Sequence, residues 1–203
     1  MSRLVIATSN RNKVREIEHL LSGIPYEMVT LDTWPHVAPP EETGRTFPEN
    51  ARAKALYYAA ATGELTVAED SGLEIDALDG APGLESARFG GADASYPRKF
   101  SLIHDALKRK GASNSSARFV CALALAKDGR VLFETLGTIE GHIAPEPRGP
   151  GGFGYDPIFF YPPYGCTLAE ATAAQKSAVS HRGEAFRALR RFLQNNDVQR
   201  RAR

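Results

Sequence analysis

The stretch RLVIATSNRNKVREIEHLL, Arg3 to Leu21, decides the fold class. Leu4 to Ala7 is an apolar run of strand length, Thr8 to Lys13 is polar, and Val14, Ile17, Leu20 and Leu21 then recur at helical spacing. Strand, loop and helix in succession open an α/β unit. A second helix starts at Thr46, where Glu49 three residues on gives a capping-box pattern and Pro48 falls in the first turn; it runs through Ala51, Ala55 and Tyr58 and stops at Gly63. Another strand, Leu65 to Ala68, is expected to end in Glu69-Asp70-Ser71-Gly72. A third helix runs from about Tyr96 to Lys110, with Phe100, Ile103 and Leu107 on one face and Gly111 as its stop. Arg118 to Ala126 and Arg130 to Ile143 flank Asp128-Gly129, a hairpin turn signal, so two antiparallel strands occupy the middle. A loop rich in Pro and Gly, Pro145 to Pro157, leads to the short strand Ile158 to Tyr161. The last helix starts near Ser180 and aligns Phe186, Leu189 and Leu193. These elements predict an α/β chain with a mixed sheet.

Composition bounds the function. Of 203 residues, 25 are Lys or Arg and 24 are Asp or Glu, a net charge of +1, which excludes a strongly basic nucleic-acid or membrane-surface binder. With 42% hydrophobic residues the chain can bury the core of one domain or of two joined lobes. Two cysteines, Cys121 and Cys166, are too few for a disulfide framework, and no segment reads as a signal peptide or a membrane span, so a cytoplasmic protein is expected. We read residues 1–195 as a single two-lobed domain and 196–203 as a polar, basic tail.

Three polar motifs sit at or near strand ends, where sheets with helical crossovers gather ligands. In the first, Thr8-Ser9-Asn10-Arg11-Asn12-Lys13, free N–H groups at a helix start favour an anion, and a first-turn lysine opposes the helix dipole unless an anion compensates it. Ser9 or Asn10 as an ordinary cap is the competing reading. In the second, Glu69 and Asp70, with Glu41 and Glu42 upstream, form an acidic set of the kind that holds magnesium together with substrate phosphates. Asp70, between apolar LTVA and SGL, reads as a buried, working carboxylate. In the third, Gly149 to Gly154 spells G-x-G-x-x-G, but it precedes a strand and opens no helix, which defeats a dinucleotide-binding reading. The glycine loop with Phe153, Tyr155 and Asp156 offers either a face and edge for a nucleobase or a turn with core aromatics. Lys176 to Gly183 adds a cationic cluster, with His181 and Arg182, at the start of the last helix, and Cys121 reads as a core residue.

Five blocks together resemble the non-standard purine nucleoside triphosphate pyrophosphatases, the inosine triphosphate pyrophosphatase family. They are VIATSNRNKVREI at Val5 to Ile17, EETGRTFPENARAKA at Glu41 to Ala55, AEDSGLEIDALDGAPGLESARFGG at Ala68 to Gly91, GGFGYDPIF at Gly151 to Phe159 and KSAVSHRGEA at Lys176 to Ala185. The resemblance implies an elongated mixed β-sheet with flanking helices in two lobes around a central cleft, a homodimer, magnesium dependence, and hydrolysis of ITP, dITP and XTP to the monophosphate and pyrophosphate. It assigns Thr8 to Lys13 to the triphosphate, Glu41 and Asp70 to the metal, and Asp70 to proton acceptance. It assigns Ser71, Phe153, Gly154, Tyr155, Asp156, Lys176, His181 and Arg182 to further substrate contacts, and Lys54 to the phosphate side. Ser9 stands where glycine is frequent and Glu69 where a second aspartate is common. Arg182 is expected to donate to the carbonyl at position six of the base, with His181 beside it.

Overall fold

The computed structural model describes residues 2–195, so the expected tail at 196–203 lies outside the described residues. Seven strands are hydrogen-bonded in the order β2-β1-β3-β4-β5-β6-β7: β1 (Arg3–Ile6), β2 (Glu27–Thr30), β3 (Leu65–Ile75), β4 (Ser116–Lys127), β5 (Arg130–Ile143), β6 (Phe159–Tyr161) and β7 (Cys166–Thr167). Strand β1 pairs parallel with β2 and β3, while β6 pairs antiparallel with β5 and β7, so the sheet is mixed. Five α-helices accompany it among the described residues: α1 (Arg11–Leu20), α2 (Phe47–Thr62), α3 (Tyr96–Arg109), α4 (Ala173–Val179) and α5 (His181–Asn195). No described helix is long and apolar enough to cross a membrane.

The chain forms two compact units. The first holds residues 2–70, 121–137 and 182–195. Its parallel pairs need helical crossovers, which α1 and α2 supply. Asn10 caps α1, its side chain accepting from the Asn12 and Lys13 N–H groups. Thr46 caps α2 by accepting from Glu49 N, and Gly63 ends it in the left-handed region at φ 70°. Ile17, Leu21, Val67, Leu123, Phe186, Leu189 and Leu193 close around β1 as one core. Each such side chain contributes about 1.5–3 kcal/mol through burial.

The second unit holds residues 71–120 and 138–181. Phe100, Ile103 and Leu107 bury one face of α3 against Leu73, Ile75, Phe119, Ile158 and Phe159. In the first unit, between β4 and β5, Asp128 (φ 49°) and Gly129 (φ 73°) both take positive φ, as a two-residue hairpin turn requires.

Two expectations are corrected. Strand β3 does not end at Ala68 but continues through Glu69-Asp70-Ser71-Gly72 to Ile75, because the polar residues keep extended backbone and find partners for their side chains. The last helix starts at His181, next to Ser180 as expected, but a further helix precedes it: Thr172 and Gln175 form a reciprocal capping box that starts α4, and Ser180, extended at ψ 150°, separates it from α5. Lys176 therefore belongs to α4 and not to the start of the last helix.

Candidate active site

Strand alternation places Glu69 and Asp70 on opposite faces of β3. Each gathers its own partners within the first unit. The Glu69 carboxylate, 2% exposed at the side chain, accepts from Lys13 Nζ of α1 at 2.7 Å and from Arg182 Nη2 of α5 at 3.2 Å. Cys121 Sγ of β4 donates to its other oxygen at 3.2 Å. Burial would push this carboxyl up, but Arg182 and Lys13 outweigh it and hold it well below the usual carboxylate range. Arg182 Nη1 donates to Glu16 Oε2 of α1 at 2.8 Å, and its carboxylate partners hold the guanidinium above its ordinary value despite burial.

On the other side, Asn50 Nδ2 of α2 donates to Asp70 Oδ2 at 2.9 Å and Lys54 Nζ stands 3.6 Å from Oδ1. Lys54 also donates to Glu42 at 2.7 Å. Here burial wins: the Asp70 carboxyl is pushed up, with Lys54 and the Asn50 hydrogen bond offsetting only part of the cost. Such a carboxylate favours an added cation or a proton. Glu16, Glu42, Glu69 and Asp70 face Lys13, Lys54 and Arg182. The donors are hard oxygens, which suits magnesium. No three or more His, Cys, Asp or Glu among the described residues group as a ready-made cage, and magnesium held by one or two carboxylates, waters and phosphates needs none.

Of the predicted loop, Thr8 Oγ1 accepts from Asn10 N at 3.2 Å, while Ser9, Asn10, Arg11 and Asn12 are exposed. The cap reading of the segment holds, since Asn10 is the cap, and Lys13 pairs with Glu69. Glu41 is exposed and Glu42 is the residue that joins Lys54.

The second unit organises the glycine loop around Asp156, which is 2% exposed. Its Oδ2 accepts from Lys176 Nζ at 2.6 Å and from Phe153 N at 2.7 Å. The Lys176 ammonium lies 4.4 Å from the Phe153 ring centroid. Gly152 is required here, since a Cβ would stand 2.2 Å from Asp156 Oδ2. Tyr155 donates from its hydroxyl to Ser86 O at 2.8 Å, and burial pushes that hydroxyl up. Gly154 takes φ 70° between the two aromatic residues, and Ser71 is half-buried on β3. His181 is buried and stacks on Phe119 at 4.9 Å between centroids, whereas the side chain of its neighbour Arg182 joins Glu69 and Glu16.

Sequence reasoning missed Glu16 and Asn50. Glu16 stands three residues after Lys13 on one helix face, and Asn50 interrupts the stripe Phe47, Ala51, Ala55, Tyr58; a polar residue on a core-facing stripe was the available signal.

Buried carboxylates set among lysines on a mixed α/β sheet form a centre suited to a metal-bound polyphosphate. The chain belongs to the Ham1 family, whose model matches residues 4–192. It is 47% identical over 187 residues to a dITP/XTP pyrophosphatase of an Exiguobacterium species, covering 92% of this chain and 94% of that one. To the dITP/XTP pyrophosphatase of Shigella flexneri it is 46% identical over 198 residues, covering 96% and 100%. Among solved structures, a HAM1 protein from Coxiella burnetii superposes with TM-score 0.90 at 39% identity, covering 97% of this chain and 100% of that one. The nucleoside-triphosphatase / dITP/XTP pyrophosphatase of Mycobacterium abscessus gives 0.73 at 37%, covering 92% and 98%.

Proposed function

We propose that this protein hydrolyses non-standard purine nucleoside triphosphates, ITP, dITP and XTP, to the monophosphate and pyrophosphate, and so clears them from the nucleotide pool. The observation that carries the mechanism is Asp70, a buried carboxylate pushed up in pKa beside Lys54 and Asn50. Ionised, it accepts the proton of a water whose oxygen attacks a phosphoryl centre; the bond between the α and β phosphates breaks and pyrophosphate leaves. Lys13 and Lys54 neutralise phosphate charge, and the Thr8 to Asn12 segment adds N–H and hydroxyl donors. Asp70 with the Glu41-Glu42 loop would hold magnesium, which supplies further charge neutralisation on the triphosphate. In the second unit, Phe153 offers a stacking face for the base, while Tyr155, Asp156 and Lys176 fix the loop that carries it. Ser71 and His181 are kept as substrate contacts on the resemblance stated above, and so is the homodimer; the cytoplasmic setting is kept on the low cysteine count.

A nucleotide panel scored for pyrophosphate and monophosphate, with magnesium and after chelation, tests this reading. Pyrophosphate from dITP and XTP, abolished by chelation, is the expected result; orthophosphate as the released product, or full activity after chelation, sinks it. Arg182→Ala in the same panel tests base reading: an unchanged ITP-to-ATP ratio assigns Arg182 to holding Glu69 alone.

A further inference from the structure

Lys99 is the buried ammonium that the mechanism leaves unused. It lies on the first turn of α3, is 3% exposed, and donates from Nζ to the Ala87 carbonyl. No carboxylate among the described residues pairs with it, and burial lowers its pKa. A charge kept in such a place without a counter-ion is a cost to the fold. Its surroundings show what it holds. The ammonium sits 5.0 Å from the centroid of the Tyr96 ring, and that ring meets Tyr155 edge-on at 5.5 Å. Tyr155 in turn donates to Ser86 O, so Lys99 and Tyr155 grip consecutive carbonyls of one segment. A Cβ built on Gly154 would come within 3.6 Å of the Tyr96 hydroxyl, which places the same tyrosine against the glycine loop.

We infer that Lys99 is a positioning residue for the nucleobase-binding loop, clamping the Ser86-Ala87 segment and the Tyr96 ring so that Tyr155 and the Phe153-Gly154 turn are held ready for the base. The inference rests on the proposed activity for its kinetic consequence and on the second unit alone for its structural one. An ammonium on a flexible stem donates to a carbonyl and faces an aromatic ring at once, which neither methionine nor asparagine can do here.

Two measurements on the full chain test it. The first is hydrogen exchange of the protein without nucleotide. Lys99→Met keeps the stem and removes the donors, and exchange at 86–91 and 153–156 is expected to rise by roughly tenfold, the factor carried by one hydrogen bond to a charged group, with 3–21 unchanged. The second is steady-state kinetics with dITP. KM is expected to rise by roughly tenfold with kcat within about twofold, and Lys99→Arg, which retains a cationic donor, is expected to return KM most of the way. The melting temperature of Lys99→Met should not fall, because an apolar isostere replaces a buried unpaired charge. Unchanged exchange in both segments, or kcat and KM changing together with a lost melting transition, overturns the inference. Should the wild-type protein leave every nucleotide uncut, the proposed activity fails, and the exchange arm, which uses no nucleotide, still decides whether Lys99 positions the loop.

Discussion

Glu69 and Asp70 are chain neighbours in one strand, yet the two faces of β3 treat them in opposite ways. Glu69 meets two cations and a thiol and is held ionised well below the usual range; Asp70 meets a more distant lysine and an amide and is pushed up. The first environment builds structure, because a fully compensated carboxylate has little left to offer a substrate. The second favours reactivity, because a carboxyl that burial pushes up gains from a cation or a proton. The surroundings drive the two titratable groups apart, and the proposed function gives the chemistry to the one that is pushed up, Asp70. Glu69, read from the sequence as part of the acidic set, is the anchor that fixes Lys13 and Arg182.

The comparison breaks most visibly at Asp70. Asp70→Asn keeps the volume and removes the charge, and turnover should fall by about 10²–10⁴-fold while the fold is retained. Stability should rise at neutral pH: a carboxyl pushed up in the native state is costly when ionised, that cost is full above the native pKa, and it vanishes in acid below the unfolded value of about 3.9. Near-normal turnover in a folded Asp70→Asn protein would erase the distinction between the two faces.

At Glu69 the expected loss is of stability. Glu69→Gln leaves Arg182 and Lys13 short of a buried counter-charge and should cost about 3–5 kcal/mol, read by urea unfolding. Because the native carboxyl is held low, its contribution is complete above the unfolded value of about 4.3 and is lost as pH falls through the native one. A gap between wild type and Glu69→Gln that stays constant into strong acid would contradict the anchoring role.

Lys13 sharpens the contrast, since Glu69 fixes it while the proposed function gives it the polyphosphate. Lys13→Ala should weaken triphosphate binding by about tenfold, with a smaller loss for monophosphates, measured by titration of both. Equal losses would place the lysine away from the polyphosphate.

Much of this was legible in the chain, and for identifiable reasons. Local signals with a mechanism held: the Thr46 cap and Gly63 stop of α2, the Asp128-Gly129 turn, and the apolar faces of α3 and α5 all depend on residues a few positions apart. Strand β3 was under-read, because Glu-Asp-Ser-Gly is a turn composition whose extended state depends on partners from α1, α2, β4 and α5, far away in sequence. The Thr172-Gln175 cap was visible but overshadowed by the lysine and histidine that follow it. At the site, the carboxylates and lysines are visible in the chain as residue types, whereas their pairing is not: nothing local says that Glu42 takes Lys54, or that Arg182 turns to Glu16 and Glu69.

The thiol beneath Glu69 has a practical consequence. Cys121 is fully buried, and burial together with the adjacent carboxylate pushes it well above the ordinary thiol range, so it presents almost no thiolate to an electrophile. Cys166, partly exposed on β7, is the accessible thiol. A maleimide dye therefore marks the native protein at Cys166 alone, and a second equivalent of label reports the moment the core around Cys121 opens, giving the chain a built-in chemical clock for unfolding that requires no engineered residue.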